Sequence, residues 1–185
     1  MATTTTTHPS TAAARRPTFD RRWLLTAFAF PPAGLLAHLV AGAVDSPTPA
    51  LLGGAIAGAG IGAAQWALLR RRGIGAMWVL ATLAGLAVGG AIGAAAVSYR
   101  TDITSLAVAG AAAGLAVGAA QATQLPTGRL RWTLLTACLW SVGWCVTTSA
   151  GIDVESQYVV FGIFGSLTVA AAQASVLHRF ADTTS

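Results

Sequence analysis

Apolar residues are grouped in six long runs that are separated by short polar segments. The runs lie near residues 23–44, 50–69, 76–97, 105–125, 131–152 and 157–177. Each run has about 20 residues, which as an α-helix would cross the roughly 30 Å hydrocarbon core of a bilayer. No run has the strict polar/apolar alternation of an outer-membrane strand. The pattern predicts an all-α, polytopic membrane bundle of six transmembrane helices.

The residues before the first run predict a tail outside this bundle. Residues 1–21 are low in complexity and lack enough bulky apolar side chains to offset the entropy of ordering, so we expect a disordered tail. The first apolar run has full spanning length, which favours a retained helix 1 over a cleaved signal segment. Pro31 and Pro32 should break or kink this helix. We expect one membrane domain over residues 22–179 and a short second tail at 180–185.

Composition and charge placement exclude several classes of protein. With 55% hydrophobic and 9% charged residues, the chain has too little charge to cover a water-soluble globule of its size. All eleven basic residues are arginines, and ten of them lie in the tails or in every second loop, with Arg100 as the exception. The positive-inside rule then predicts cytoplasmic termini in a plasma (inner) membrane. Arginines so close to a bilayer indicate contacts with anionic lipid rather than a nucleic-acid partner.

One spacing of small residues followed by glutamine occurs three times. Each copy has small residues four apart and a glutamine three further on, which places them on one helix face. The copies are Gly54, Gly58, Gly62 and Gln65, then Gly110, Gly114, Gly118 and Gln121, then Gly162, Ser166, Ala170 and Gln173. Small side chains let membrane helices approach closely, so we predict that these faces pack against other helices.

The odd-numbered helices repeat as well. Trp23, Trp78 and Trp132 each follow arginines, and a glycine lies eleven residues beyond each of them. The repeated unit is a helical hairpin, present as 23–69, 78–125 and 132–177. Because all three copies enter from the same side, they predict a bundle with pseudo-threefold symmetry about the membrane normal, with helices 2, 4 and 6 inside.

The glutamines and one histidine are the candidate functional residues. Polar side chains in membrane spans usually bond to a neighbouring helix, and this is one interpretation of Gln65, Gln121 and Gln173. The other is a polar ring that contacts a permeating solute or ion. His38 is either a proton- or ligand-handling group or a neutral imidazole bonded to a carbonyl that the prolines release.

Other chemistry has little support in the sequence. Cys138 and Cys145 are two turns apart on one helix, too far for a disulfide, and we expect buried thiols. The polar residues Asp153, Glu155 and Tyr158, with Arg100 and Asp102 in the preceding loop, are either a cation or partner site or ordinary solvated loops. Trp66, Trp140 and Trp144 should be packing or interface residues. Phosphate-loop, HExxH and GxSxG motifs are absent, so we expect no enzyme, catalytic residue, metal or cofactor.

The run GAGIGAAQWALLRRRGIGAMWVLATLAGLAVGG, within residues 54–90, resembles stretches of small multipass bacterial membrane proteins of unknown function. In these a Gly-rich helix ends in Gln-Trp, a basic turn follows, and the next helix begins with Trp and Gly. The resemblance implies a bacterial inner-membrane protein with a shared bundle, and it carries no activity.

The sequence therefore predicts a non-enzymatic membrane protein that binds or passes a small solute or ion, with Gln65, Gln121, Gln173 and His38 as contact residues. The alternative is a structural or accessory subunit that docks through its Gly/Ala helix faces against a membrane-protein partner or other copies of itself.

Overall fold

The computed structural model describes the backbone of residues 21–151 and 160–182, and the side chains of residues 22–151 and 160–174. The predicted N-terminal tail up to residue 20 and the last residues, 183–185, lie outside this range. Asp153, Glu155 and Tyr158 lie outside it as well, so the predicted cluster of these side chains stays a prediction.

The described chain consists of helices and contains no strand, which confirms the predicted all-α class. Its six α-helices are α1 (Phe30–Ala41), α2 (Pro47–Leu69), α3 (Met77–Ala96), α4 (Ile103–Ala122), α5 (Arg129–Ser149) and α6 (Ile163–Asp182). A 3₁₀ segment, Arg21–Ala29, leads directly into α1, and a short 3₁₀ turn, Arg70–Arg72, follows α2.

The helix boundaries follow from local chemistry. Pro31 and Pro32 occupy the first turn of α1, where a missing backbone N–H costs nothing, so the chain changes from 3₁₀ to α-helix at this point. Helix α4 begins two residues earlier than expected because Asp102 caps it, accepting a hydrogen bond from the backbone N–H of Ser105 at 3.0 Å.

Four helical stretches are long and apolar enough to cross a membrane: Arg22–Ala41, Pro47–Arg72, Met77–Ala96 and Ile103–Ala122. Helix α5 has comparable length but carries several threonines and tryptophans, and α6 contributes the shorter apolar stretch Ile163–Ala174. Four candidate spans are therefore established among the described residues, and six spans remain a prediction.

The helices pack mainly in chain order, each against the one before and the one after. The most extensive contacts join α2 to α3, α3 to α4 and α4 to α5, and α6 closes the arrangement against the 3₁₀ segment Arg21–Ala29. The two ends of this bundle carry different groups. We call the end with the exposed arginines Arg22, Arg70–Arg72, Arg129 and Arg131 the arginine end, and the end with loops 42–46, 97–102 and 150–151 the loop end.

Large apolar side chains cover the outer surface of the bundle. Every one of the six helices exposes at least one, for example Leu39 on α1 at 71%, Ile92 on α3 at 60% and Leu134 on α5 at 52%. A soluble monomer rarely exposes so much apolar surface, whereas a lipid environment accommodates it. Helices α2 and α4 also expose Leu51 and Leu115, so they are not enclosed by the others, contrary to the expectation for helices 2, 4 and 6.

Candidate functional site

A buried polar cluster lies near the arginine end, where α2, α3, α4 and α5 meet. We call it the Gln–Trp cluster, and it consists of Gln65, Trp78, Thr82, Gln121 and Trp132. Each of these side chains is at most 4% exposed. The cluster forms because the faces of α2 and α4 that carry the small residues turn toward α3 and α5, whose first turns carry the two tryptophans.

The hydrogen bonds of this cluster form a connected chain. Trp78 Nε1 and Gln121 Nε2 both donate to Gln65 Oε1, each at 3.0 Å. Gln121 Nε2 also donates to Thr82 Oγ1 at 2.9 Å, and Trp132 Nε1 donates to Gln121 Oε1 at 3.1 Å. An indole can only donate, so each amide must turn its oxygen toward its tryptophan. This requirement determines both amide orientations and leaves Gln121 Nε2 to link the two pairs.

The third glutamine of the repeat has a different environment. Gln173 on α6 is only 3% exposed, yet no hydrogen bond joins it to Gln65 or Gln121 within the described part of the chain. Trp23 belongs to the same apolar cluster as Trp78 and Trp132, and its Nε1 is buried without a hydrogen-bond partner. The structure thus joins two of the three predicted glutamines, and leaves a buried indole donor unpaired beside α6.

The small residues of the repeat lie against neighbouring helices of the same chain. A Cβ added at Gly58 would lie 2.8 Å from Leu83 Cα of α3, and one added at Gly114 would lie 2.6 Å from the Thr136 carbonyl of α5. In the third copy, the Ser166 hydroxyl donates to the Ala27 carbonyl at 3.1 Å. The distances at Gly58 and Gly114 leave no room for a side chain, so at these two positions the backbones of neighbouring helices are in direct contact.

His38 lies far from the glutamines, in the last turn of α1 at the loop end. It is half-buried and lines a cavity of about 670 Å³, a size that suits a small organic ligand. Residues of α1 to α5, of two loops between them and of the segment after α5 line it: His38, Gly42, Ala43, Val44, Ala50, Leu86, Gly90, Ala94, Val97, Tyr99, Arg100, Thr101, Leu106, Ala109, Ala113, Trp140, Trp144, Thr148 and Gly151.

The cavity extends from the loop end to about the middle of the helices. Val97 and Arg100 lie at its mouth, while Leu86, Ala113 and Trp140 lie near the midpoints of α3, α4 and α5. Val97 and Leu86 are eleven residues apart along α3 and its C-cap, which corresponds to a depth of about 16 Å. The cavity therefore extends about halfway along these helices.

Apolar side chains separate the floor of the cavity from the Gln–Trp cluster. Ile61, Leu86 and Val117 are almost completely buried in one hydrophobic core, together with several aromatic rings. Phe161 stacks on Phe30 with ring centroids 5.1 Å apart, and it meets the Trp140 ring edge-on at 5.3 Å. The bundle is thus filled below the cavity, first by apolar side chains and then by mutually bonded polar ones.

The loop between α3 and α4 brings polar groups to the mouth of the cavity. Ser98 and Tyr99 have positive φ angles of 53° and 58°, a conformation that residues other than glycine adopt rarely. This turn ends α3 and places Tyr99, Arg100 and Thr101 in the lining. Arg100 Nε donates to the Val97 carbonyl at 3.2 Å, which holds the guanidinium near the rim.

Asp102 follows these residues but does not line the cavity. Its carboxylate accepts hydrogen bonds from the hydroxyl and the backbone N–H of Ser105. These two bonds hold the pKa of Asp102 below its ordinary value, and the nearby positive charge of Arg100 lowers it further. The Asp102 carboxylate therefore caps α4. The described residues that line the cavity include no carboxylate.

Several residues of the cavity were not among the candidates from sequence. Tyr99, Thr101 and Thr148 have no recognisable motif, and Trp140 and Trp144 were interpreted as packing or interface residues. The sequence did contain one signal of the cavity, because Arg100 is the only arginine outside the alternating pattern.

The two cysteines are free, and Cys138 is exposed rather than buried as expected. The described residues contain no group of three or more side chains suited to a metal ion.

Comparisons with protein-family models, with curated proteins and with solved structures gave no match. The resemblance of residues 54–90 to small multipass bacterial proteins therefore stays a prediction.

Proposed function

We propose that this chain is a non-enzymatic integral membrane protein that binds a small solute in the cavity at the loop end. The observation that carries the proposal is the cavity, about 670 Å³ in volume, which combines a polar mouth with an apolar floor near the helix midpoints. Ligand sites of this kind are mostly apolar, with a few polar groups that orient the ligand.

The closed arginine end supports a carrier or a binding protein over a permanently open pore. A solute in the cavity meets Leu86 and Trp140 at the floor, then Ile61 and Val117, and then the Gln–Trp cluster. For it to pass, the bonds between Gln65, Gln121 and their partners must break. We propose that these glutamines hold the bundle closed in this conformation and contact the solute only if it opens.

The same proposal includes the number of membrane spans and the symmetry that relates the helical hairpins. All six helices span the bilayer, and the three hairpins 23–69, 78–125 and 132–177 are related by a pseudo-threefold axis. The exposed apolar residues on α5 and α6 support six spans, as do the threonines of α5, whose hydroxyls bond to carbonyls of their own helix. The exposed arginines support an orientation in which the arginine end is cytoplasmic and contacts anionic lipid.

The contacts of the glycines weigh against the accessory-subunit alternative. Docking through the Gly faces requires those faces to be open to another chain, but Gly58 and Gly114 lie against α3 and α5 of the same chain. Solute binding is therefore the function that the geometry supports better.

Labelling of single cysteines by a charged, membrane-impermeant thiol reagent tests the proposal. The background variant replaces Cys138 and Cys145 with alanine, since both native thiols are free. Ala94→Cys places a thiol in the cavity, and its matched control Ala84→Cys places one on the exposed face of the same helix. Val117→Cys places one in the filled region, at a residue that is 1% exposed.

We expect fast labelling of Ala94→Cys and slow labelling of the other two, because the reagent reacts only where water reaches the thiol. Slow labelling of Ala94→Cys in folded protein would contradict a hydrated cavity. Solute flux into proteoliposomes then separates a carrier from a protein that only binds: flux across a panel of solutes, reduced by Gly90→Val, would support a carrier.

A further inference from the structure

The chemistry of the lining indicates which solute the cavity takes. We propose that its ligand is an organic anion, a carboxylate attached to an apolar body, with the carboxylate at Arg100 and the body directed toward Trp140. This inference rests on the proposed function, because it needs the cavity to be a binding site.

The charge at the mouth of the cavity supports an anion. Arg100 is permanently charged and uses one of the five N–H donors of its guanidinium to bond the Val97 carbonyl. Its neighbour Asp102 is directed to Ser105, and the described lining contains no carboxylate that could attract a cation. A guanidinium binds a carboxylate through two parallel hydrogen bonds, and Tyr99 and Thr101 beside it provide hydroxyl groups.

The floor of the cavity supports an apolar body on that anion. Leu86, Ala113, Trp140 and Trp144 lie below the rim, and the indole faces favour an aromatic or aliphatic group over an inorganic ion. A small inorganic anion would also leave most of a 670 Å³ cavity unfilled. The separation of charge at the mouth from apolar surface at the floor therefore matches an amphiphilic anion.

Calorimetric titration of the full chain in phosphatidylcholine nanodiscs tests the ligand class. The probes are 2-naphthoate, its neutral analogue 2-naphthamide and the cation 2-naphthylmethylammonium, with empty nanodiscs to subtract partitioning into lipid. We expect 2-naphthoate to bind about tenfold more tightly than either analogue, since a charge-assisted bidentate pair contributes about that much. Equal affinity for all three probes would overturn the assignment of an anion.

Two arginine variants locate the charge that selects the anion. Arg100→Gln should abolish the preference for 2-naphthoate, while Arg129→Gln should retain it. The two are matched because Arg129 Nε also donates to a backbone carbonyl, that of Leu125 at 2.9 Å, but at the arginine end. If Arg100→Gln does not fold, Arg100→Lys should fold and keep a weaker preference for the anion. An unchanged preference in Arg100→Gln would overturn the role of Arg100.

A steric variant separates failure of this inference from failure of the proposed function. A Cβ at Gly90 would meet only Leu86 Cδ1, at 3.8 Å, so Gly90→Val should extend into the cavity without disturbing α3. We expect it to weaken binding of every probe that enters, whereas Ala84→Val on the exposed face should not. If Gly90→Val blocks binding of the probes but Arg100→Gln leaves it unchanged, only the assignment of an anionic ligand is overturned. If none of the three probes binds, both the anionic ligand and the proposed binding function are overturned.

The lipid composition of the nanodiscs distinguishes a free anion from a lipid headgroup. Adding phosphatidylglycerol should leave the affinity for 2-naphthoate unchanged, apart from a small loss by charge repulsion that also occurs with Arg129→Gln. A severalfold loss that disappears in Arg100→Gln would mean that an anionic lipid occupies the site, and would overturn a free organic anion as its ligand.

Discussion

At the arginine end the buried amides of Gln65 and Gln121 bond to each other and to two indoles, whereas at the loop end Tyr99, Arg100 and Thr101 face a cavity of about 670 Å³. The same four helices, α2 to α5, contribute to both regions. Polar groups near the arginine end bond to one another across helices, whereas polar groups near the loop end line open space. The position of a polar residue along the sequence therefore does not tell whether its side chain bonds to a neighbouring helix, as Gln121 does, or lines a cavity, as Arg100 does.

The largest expected difference in stability is between two glycine-to-leucine variants, Gly118→Leu near the Gln–Trp cluster and Gly90→Leu at the cavity. Gly118, one turn before Gln121, has Thr133 Cα at 2.9 Å from the position of an added Cβ, so Gly118→Leu should lower the free energy of unfolding by about 3 kcal/mol. Gly90→Leu extends into the cavity and should change it by less than about 1 kcal/mol. Denaturation by SDS in mixed micelles, followed by circular dichroism, measures both. Equal losses would mean that the two regions are packed alike.

Removing the central amide of the Gln–Trp cluster should have the next largest effect. Gln121→Leu eliminates the bonds to Gln65, Thr82 and Trp132 and leaves a buried indole donor unpaired, which should destabilise the bundle by about 2 kcal/mol. Gln124→Leu is the matched control, because Gln124 is half-buried and its amide bonds only to the neighbouring Thr123. A loss no larger than that of Gln124→Leu, in the same SDS denaturation, would argue that the cluster adds little stability.

Replacement by phenylalanine should destabilise the protein more at Trp132, whose indole N–H is hydrogen-bonded, than at Trp23, whose indole N–H is not. Trp132→Phe leaves the Gln121 oxygen without its donor and should cost about 1 kcal/mol more than Trp23→Phe, which removes an indole N–H that has no partner. Both side chains are at most 4% exposed, so the loss of packing is similar. Thermal unfolding of the two variants measures the difference. Equal costs would contradict the extra stability assigned to the bond from Trp132 to Gln121.

The smallest expected effect concerns pH and the cap of α4. The pKa of Asp102 is lowered by its bonds to Ser105, so its stabilising contribution is complete above the pKa of the unfolded chain, about 4, and is lost as the pH falls through the folded value. The difference in melting temperature between wild type and Asp102→Asn should therefore be small at pH 7 and should shrink toward pH 3. A difference that grows on acidification would contradict the cap as its origin.

Much of the fold follows from hydrophobic periodicity. Six apolar runs predict six helices. Asp102 and the prolines determine where α4 and α1 begin, whereas α6, at Ile163–Asp182, lies later in the chain than its predicted run of 157–177. In the structure Gln65 and Gln121 lie on faces of α2 and α4 that are turned toward other helices. The cavity was not predictable, since its lining comes from five helices and three loops and no two of its polar groups form a motif.

The helical class, the approximate positions of the helices and the placement of polar residues along them follow from the amino-acid sequence, because they depend on side chains that are neighbours along the chain or along one helix face. Which polar groups bond to each other and which line open space became visible only once the helices were packed together. That choice depends on distances between helices, as in the bond from Gln121 to Gln65 across 56 residues of sequence, or the approach of Arg100 and Trp140 to one cavity. Local propensity does not encode such distances; they result from how the small faces of α2 and α4 allow neighbouring backbones to meet.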